Sequence, residues 1–380
     1  MQGRFFRRKR KHIEREDIRI LVAAGGTGGH LFPAIAVVEE LERLIGKDFK
    51  AEFFGTAGKI ESRVVPELGY KIHILPISGI SNLKSLKGFL FLFKILQSFL
   101  KARAVIRKFK PDAILCTGAY LSYPVGLAAR FSRAPLVLME SNVFPGKAIR
   151  ALSGYSRKII VSFEGSREYF SKDQQDKIEV LGNPVRSGIR ATPDRAEARK
   201  FFGLQPDIPT VLAVGGSLGA RSINEALEKI LKKPDAPFKN VQLIWQTGST
   251  FKSTSDFGKN VWVDQFIKDM PQAYAAADLV IARAGATTLA ELCAIGKPSI
   301  LVPYPHAANN HQEHNARYME EKGASCMILD ADMDKKLETS VLKLLQNSPQ
   351  IIDMEQSARS LGKPEAADEA ARVILGLIKK

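Results

Sequence analysis

Two stretches of this chain open in the same way: residues 18–30 read IRILVAAGGTGGH and residues 209–220 read PTVLAVGGSLGA. Each is a β-branched, continuously apolar strand that runs into a glycine turn and then a helix. Strands that are apolar on both faces belong in parallel sheets covered by helices. Further short apolar runs come after each opening: AEFFG, AILCTG, LVLME, KIIVS and KIEVLG in the first half, and VQLIWQ, NVWV, LVIARAG and SILVPY in the second. Helical segments separate most of them, which predicts an α/β chain of two doubly wound parallel sheets. A length of 380 residues suits two domains. The boundary is expected after LGNPVR, where Asn183-Pro184 breaks local structure, with the second domain beginning near Ser187. A cleft between two such sheets, with glycine turns and helix N-termini on both walls, is the expected ligand site.

The net charge of +16 is unevenly spread. Residues 1–17 form a basic N-terminal extension of net +4, and between Glu67 and Asp112 nine Lys/Arg occur with no acid. The extension leads into a strand without an apolar core or cleavage site, so it does not read as a secretory signal. It fits a solvated tail or contact with anionic lipid. In the second region, Phe89, Leu92, Leu96, Phe99 and Ile106 recur at helical spacing, with Lys94, Lys101 and Lys108 on another side. This amphipathic helix is expected to pack on the sheet. It can also dock on a membrane, with Ile80, Leu83, Leu86 and Phe89 entering the interface and lysines meeting anionic headgroups. The apolar run Phe89–Phe93 is cut by Lys94, far short of the roughly 18 residues that cross a bilayer. No nucleic-acid recognition motif accompanies the charge, so no nucleic-acid partner is expected. Cys116, Cys293 and Cys326 are odd in number and widely spaced, against a disulfide framework or CxxC metal cluster.

Gly25, Gly26, Gly28 and Gly29 precede a helix expected to start near Pro33, so backbone amides can approach an anion. Gly215, Gly216, Ser217 and Gly219 make the matching turn of the second half. The dinucleotide fingerprint fails because Leu31 stands at its third glycine, and no GK[ST] completes a P-loop. From Arg283 to Glu291 a glycine turn and threonines open another helix, with an acid about one turn inside. A carboxylate there can accept from two vicinal ribose hydroxyls, or merely favour the helix N-terminus.

Taken in order, GGTGGH, TGAYLSYP, ESN, GNPVR, GGSLGAR, RAGATTLAE and HAANNHQEHNA span nearly the whole chain. Together they closely resemble the MurG family of glycosyltransferases, glycosyltransferase family 28. The resemblance implies a GT-B fold with an acceptor and membrane-binding domain over residues 18–186 and a UDP-GlcNAc-binding domain over 187–358. A C-terminal helix within 359–380 would return to the first domain. It implies an inverting hexosyltransferase at the cytoplasmic face of the inner membrane. This enzyme would move GlcNAc from UDP-GlcNAc to the MurNAc 4-hydroxyl of lipid I, giving lipid II for peptidoglycan synthesis, cell shape and division, alongside cell-wall synthesis and division proteins. Donor contacts would be Thr27, Gly28, Gly29, Asn142, Arg186, Ser217, Ile267, Ala286, Thr287, Thr288, Leu289, Ala290, Glu291 and Gln312, with Tyr120 on the acceptor side. The family usually has His-Glu-Gln-Asn where this chain has Met139-Glu140-Ser141-Asn142, so any role of that histidine or glutamine does not carry over to Met139 or Ser141; Tyr123 replaces a glycine of the acceptor-side loop.

Inverting transfer needs a base for the acceptor hydroxyl and stabilisation of the leaving diphosphate. His30 and Glu140 are the titratable candidates for the base. Asp330, Asp332 and Asp334 imitate a metal-binding DxD string but precede an amphipathic helix, which predicts helix capping. His306, His311 and His314 lack an HExxH frame, so neither metal nor other cofactor is expected. Two alternatives remain open on residues alone: a UDP-GlcNAc 2-epimerase-like enzyme, and a non-catalytic, membrane-associated nucleotide-sugar sensor.

Overall fold

The structure, a computed structural model, describes residues 17–77, 86–185, 188–189, 193–235, 237–251 and 256–378, with backbone alone at 86–90. The first sheet contains β1 (Ile18–Ala23), β2 (Phe49–Thr56), β3 (Lys71–Leu75), β4 (Ala113–Cys116), β5 (Leu136–Glu140), β6 (Lys158–Val161) and β7 (Ile178–Val180). Its order is β3-β2-β1-β4-β5-β6-β7, parallel throughout. The second sheet contains β8 (Thr210–Val214), β9 (Gln242–Gln246), β10 (Val261–Asp264), β11 (Leu279–Ala282), β12 (Ser299–Leu301) and β13 (Ser325–Met327). It repeats the pattern as β10-β9-β8-β11-β12-β13, again parallel.

The helices of the first half are α1 (Gly28–Ile45), α2 (Glu61–Glu67), α3 (Leu86–Phe109), α4 (Ala119–Ala129) and α5 (Lys147–Leu152). Those of the second are α6 (Arg195–Phe201), α7 (Arg221–Leu231), α8 (Met270–Ala276), α9 (Ala286–Ile295), α10 (His311–Glu321), α11 (Met333–Gln346), α12 (Ser348–Leu361) and α13 (Ala366–Ile378). With helices on both faces, β4, β5, β8, β9, β11 and β12 are buried at every position, which is why they read as predominantly apolar runs, with polar residues only at their ends. The strand order reverses beside β1 and beside β8, and at these two switch points a crevice opens at the strands' carboxyl ends. Helix α13 packs on α1, and its Ala370, Ala371 and Ile374 complete one core with Ile20, Val22, Leu31 and Val38.

The structure corrects three expectations. Strands β3 and β13 were not expected. Both are edge strands; β3 is partly polar, with Lys71 and His73 bonded to Glu52 at 2.9 and 2.6 Å, and β13 has only three residues. Helix α1 starts at Gly28, not near Pro33, which sits inside the helix. In α3 the row that packs on the core is Phe91, Ile95, Phe99, Ala102 and Ile106, the last two buried; Phe99 and Ile106 lie on the expected side, but Leu92 and Leu96 do not. The latter two are more than half exposed, as are Phe93 and Leu100. The helix is apolar on adjacent rows, and spacing alone does not say which row meets the sheet.

Candidate active site

The turn after β1 and the turn after β8 share one backbone feature. Gly26 and Gly216 both take φ +83°, a left-handed conformation that glycine adopts without the Cβ penalty. Each turn delivers the chain into a helix, α1 or α7, and a third helix, α9, opens after β11. No side chain caps α1, α7 or α9, so none of their first-turn N–H groups is taken by a side-chain cap, and the positive end of each dipole remains available to an anion.

These elements enclose a cavity of about 1050 Å3. Thr27 from the first half meets Ser217, Ile267, Thr288, Glu291 and Gln312 from the second on its walls. Glu291 is 4% exposed and accepts a hydrogen bond from the Tyr274 hydroxyl at 2.9 Å. Gln312 accepts from the Tyr304 N–H at 2.9 Å, which fixes its amide. Other predicted contacts stand back from the cavity walls. Leu289 is core, and Ala290 faces a small interdomain pocket with Asn183 and Leu361. Gly28, Gly29, Ala286 and Thr287 flank the two helix starts without lining the cavity. Arg186, Ile80 and Leu83 lie outside the described residues, as do the side chains of Leu86 and Phe89.

Several cavity residues escaped the sequence reading. Gln246 donates to the Gly216 carbonyl at 3.0 Å and accepts from the Ile267 N–H at 2.9 Å, tying the glycine turn to the opposite wall. Arg283 bonds Asp330, Ser222 and the carbonyls of Val302 and Pro303, and its guanidinium lies 5.6 Å from the Tyr304 ring centroid. The expected capping role of the acidic string is therefore corrected. Asp330 faces the cavity and holds Arg283 and Ser222, while Asp332 pairs with Lys336 and caps nothing with its side chain. Among the described residues no group of three or more His, Cys, Asp or Glu is placed to hold a metal ion.

His30 lies in the first turn of α1, its ring packed on Gly118, where an added Cβ would stand 3.1 Å from Cε1. Burial holds its pKa below the usual histidine value, the Thr117 backbone opposing the shift, which favours the neutral imidazole; Nδ1 has no partner. Glu140 is 2% exposed and its carboxylate accepts from Asn142 N (2.9 Å), Asn142 Nδ2 (3.0 Å) and Gly146 N (2.7 Å). Burial still raises its pKa. Asn142 continues across the interface. Its Oδ1 accepts from Asn315 Nδ2 at 3.1 Å, Asn315 also donates to the Ala284 carbonyl at 3.0 Å, and Asn315 Oδ1 accepts from Val143 N at 2.9 Å. Beside this clamp Phe144 stacks on His314 at 4.8 Å. Tyr120 lies against Gly26, its hydroxyl 3.3 Å from Thr56 Oγ1.

Two parallel sheets of repeated topology, joined across a cleft whose walls carry uncapped helix starts and a buried carboxylate, define a two-domain α/β protein with its principal cavity at the switch points of both sheets. Residues 20–161 match the glycosyltransferase family 28 N-terminal domain and residues 210–370 the glycosyltransferase family 28 C-terminal domain. The chain belongs to this family, and its fold is GT-B. A Chlorobaculum parvum protein named UDP-N-acetylglucosamine--N-acetylmuramyl-(pentapeptide) pyrophosphoryl-undecaprenol N-acetylglucosamine transferase is 40% identical over 372 residues, covering 95% of this chain and 100% of that protein. The crystal structure of Acinetobacter baumannii MurG superposes with a TM-score of 0.75 at 27% identity, covering 94% of this chain and 99% of that one. A putative UDP-N-acetylglucosamine 2-epimerase from Listeria monocytogenes shares the fold at TM-score 0.62 and 17% identity, covering 94% and 96%.

Proposed function

We propose that this chain is an inverting hexosyltransferase that moves GlcNAc from UDP-GlcNAc to the MurNAc 4-hydroxyl of undecaprenyl-pyrophosphoryl-MurNAc-pentapeptide, making lipid II for peptidoglycan synthesis. The carrying observation is the 40% identity to a transferase of that name across its whole length. The likeness to the epimerase is one of architecture alone.

In this reading UDP-GlcNAc occupies the cavity, with Glu291 accepting from the ribose hydroxyls and the Ser217 turn cradling the diphosphate. Gln312 and Thr27 lie toward the sugar. Amides and helix dipoles stabilise the charge that gathers on the leaving UDP. His30 is the base that takes the acceptor proton: it stands in the first turn of α1 beyond Thr27, and burial favours the neutral imidazole, the form that can accept. Glu140, fully engaged by three donors, shapes the loop that bears Asn142. Tyr120 stands on the acceptor side. The exposed Leu92, Phe93, Leu96 and Leu100 of α3, interspersed with Lys94, Lys101 and Arg103, give the chain a peripheral membrane face at the cytoplasmic surface. No described helix is long and apolar enough to cross a membrane.

The test is transfer of radiolabelled GlcNAc from UDP-GlcNAc to a short-chain lipid I analogue, with UDP-GalNAc as control and EDTA in a parallel tube. Lipid-linked disaccharide formed with and without EDTA is the expected result. Binding of UDP-GlcNAc without any transfer refutes the assignment.

A further inference from the structure

Beneath the first glycine turn lies a carboxylate that neither lines the donor cavity nor takes part in the proton transfer. Glu61, the first residue of α2, is 0% exposed, and no cation pairs with it among the described residues. One of its oxygens accepts from the Gly26 N–H at 2.9 Å; the other accepts from the Thr56 N–H at 3.0 Å and the Thr56 hydroxyl at 2.7 Å. All three partners are donors, and only a group that accepts at both oxygens satisfies them. The chain has made room for it at a cost in sequence freedom. A Cβ at Gly25 would stand 2.4 Å from the Glu61 carboxyl carbon, and one at Gly55 would stand 2.7 Å from its Cγ.

The network extends to a second side chain. Because the Thr56 hydroxyl proton is directed at Glu61, the 3.3 Å contact between Thr56 Oγ1 and the Tyr120 hydroxyl has Tyr120 as donor. The Tyr120 oxygen then keeps its capacity to accept. One buried side chain thus sets the backbone of the turn that leads into Thr27 and His30, and also the polarity of a tyrosine packed against that turn.

We propose that Glu61 is a positioning residue of the transfer, holding the first glycine turn and, through Thr56, the Tyr120 hydroxyl in the arrangement that receives the lipid-linked acceptor. This rests on the chain being the lipid I transferase. The geometry makes its effect one-sided: apart from Thr27, the cavity assigned to the donor is built from the second half of the chain.

Glu61→Gln tests it, since either amide orientation sets an NH2 group against an N–H donor. Initial rates on the lipid I analogue should show a KM for acceptor raised about ten-fold or more, while titration with UDP gives a Kd within about two-fold of wild type. Hydrogen exchange should quicken in peptides spanning 24–30 and stay unchanged around 215–219. Thr56→Val and Tyr120→Phe should each weaken acceptor use, and the double variant should be no worse than the poorer single one, because they cut the same chain. Wild-type acceptor kinetics in Glu61→Gln, or additive losses in the double variant, overturn the proposal. If Glu61→Gln does not fold, the Thr56–Tyr120 cycle decides alone. A wild-type chain that makes no lipid-linked product refutes the transferase assignment instead, and the exchange comparison still reports whether Glu61 holds the turn.

Discussion

Replacing Asn315 by aspartate changes one buried group without changing its shape, and the neighbours of that group fix the consequence. The retained oxygen still accepts from Val143 N–H. The new oxygen replaces an NH2 that donated to the Ala284 carbonyl at 3.0 Å and to Asn142 Oδ1 at 3.1 Å, so it faces two acceptors. Asn142 has no good alternative rotamer: its Nδ2 already donates to Glu140 at 3.0 Å, and turning the amide would set its carbonyl against that carboxylate. Two acceptors stranded at about 1–3 kcal/mol each give a cost on the order of 4 kcal/mol. At a little over about 1 °C per kcal/mol for a chain of this length, this lowers the unfolding midpoint by on the order of 5 °C. Thermal unfolding by circular dichroism reads the first effect, and the KM for UDP-GlcNAc reads the loosened Asn142 loop, expected to rise several-fold. A midpoint within about 2 °C of wild type with unchanged donor KM would refute the reasoning and show that the two domains do not meet through this residue in solution.

Glu291→Ala removes the acceptor for the ribose hydroxyls; at about 1.5–3 kcal/mol per bond to a charged group, UDP affinity measured calorimetrically should fall about 100-fold, with Tyr274→Phe much milder. His30→Ala should lower kcat by about 100- to 10,000-fold with UDP binding nearly intact; equal loss of donor affinity in both variants would sink the division of roles. Burial places the His30 pKa below the 6.5 of a free histidine. Wild-type kcat/KM should therefore be level above pH 6.5 and fall as acid protonates the folded enzyme, and the same residue's contribution to stability should be whole above that pH and lost below it; a rate that climbs on acidification contradicts the base assignment. Serine at both Leu92 and Leu96 should weaken sedimentation with phosphatidylglycerol vesicles while leaving turnover of a water-soluble acceptor analogue unchanged.

The two sheets were legible in the sequence because strands covered on both faces have apolar centres without alternation, as LVLME and TVLAV do. Strands β3 and β13 were hidden for the converse reason, since edge strands tolerate Lys71 and His73 or shrink to three residues. The glycine turns and Glu291 could be read because backbone approach and a helix-borne acid leave short, ordered strings. Gln246, Arg283 and Asp330 could not. Gln246 acts on Gly216 and Ile267, and Arg283 on Asp330, partners 21 or more positions away, and local pattern carries no trace of such pairs. Glu61 was hidden for a different reason. An acid at the start of a short helix looks like a dipole partner until its full burial is known.

The seating of α13 on α1 bears on how the chain is born. Every strand of the first sheet is made by Val180, yet Ala370, Ala371 and Ile374, which close its core, come much later. At about 5–20 residues per second, the stretch between Val180 and Ala366 takes roughly 10–40 s to translate. For that interval the apolar flank of α1 stays uncovered on the ribosome, open to chaperones and to neighbouring nascent chains. The first half of the molecule reaches its mature form only after the second has been made.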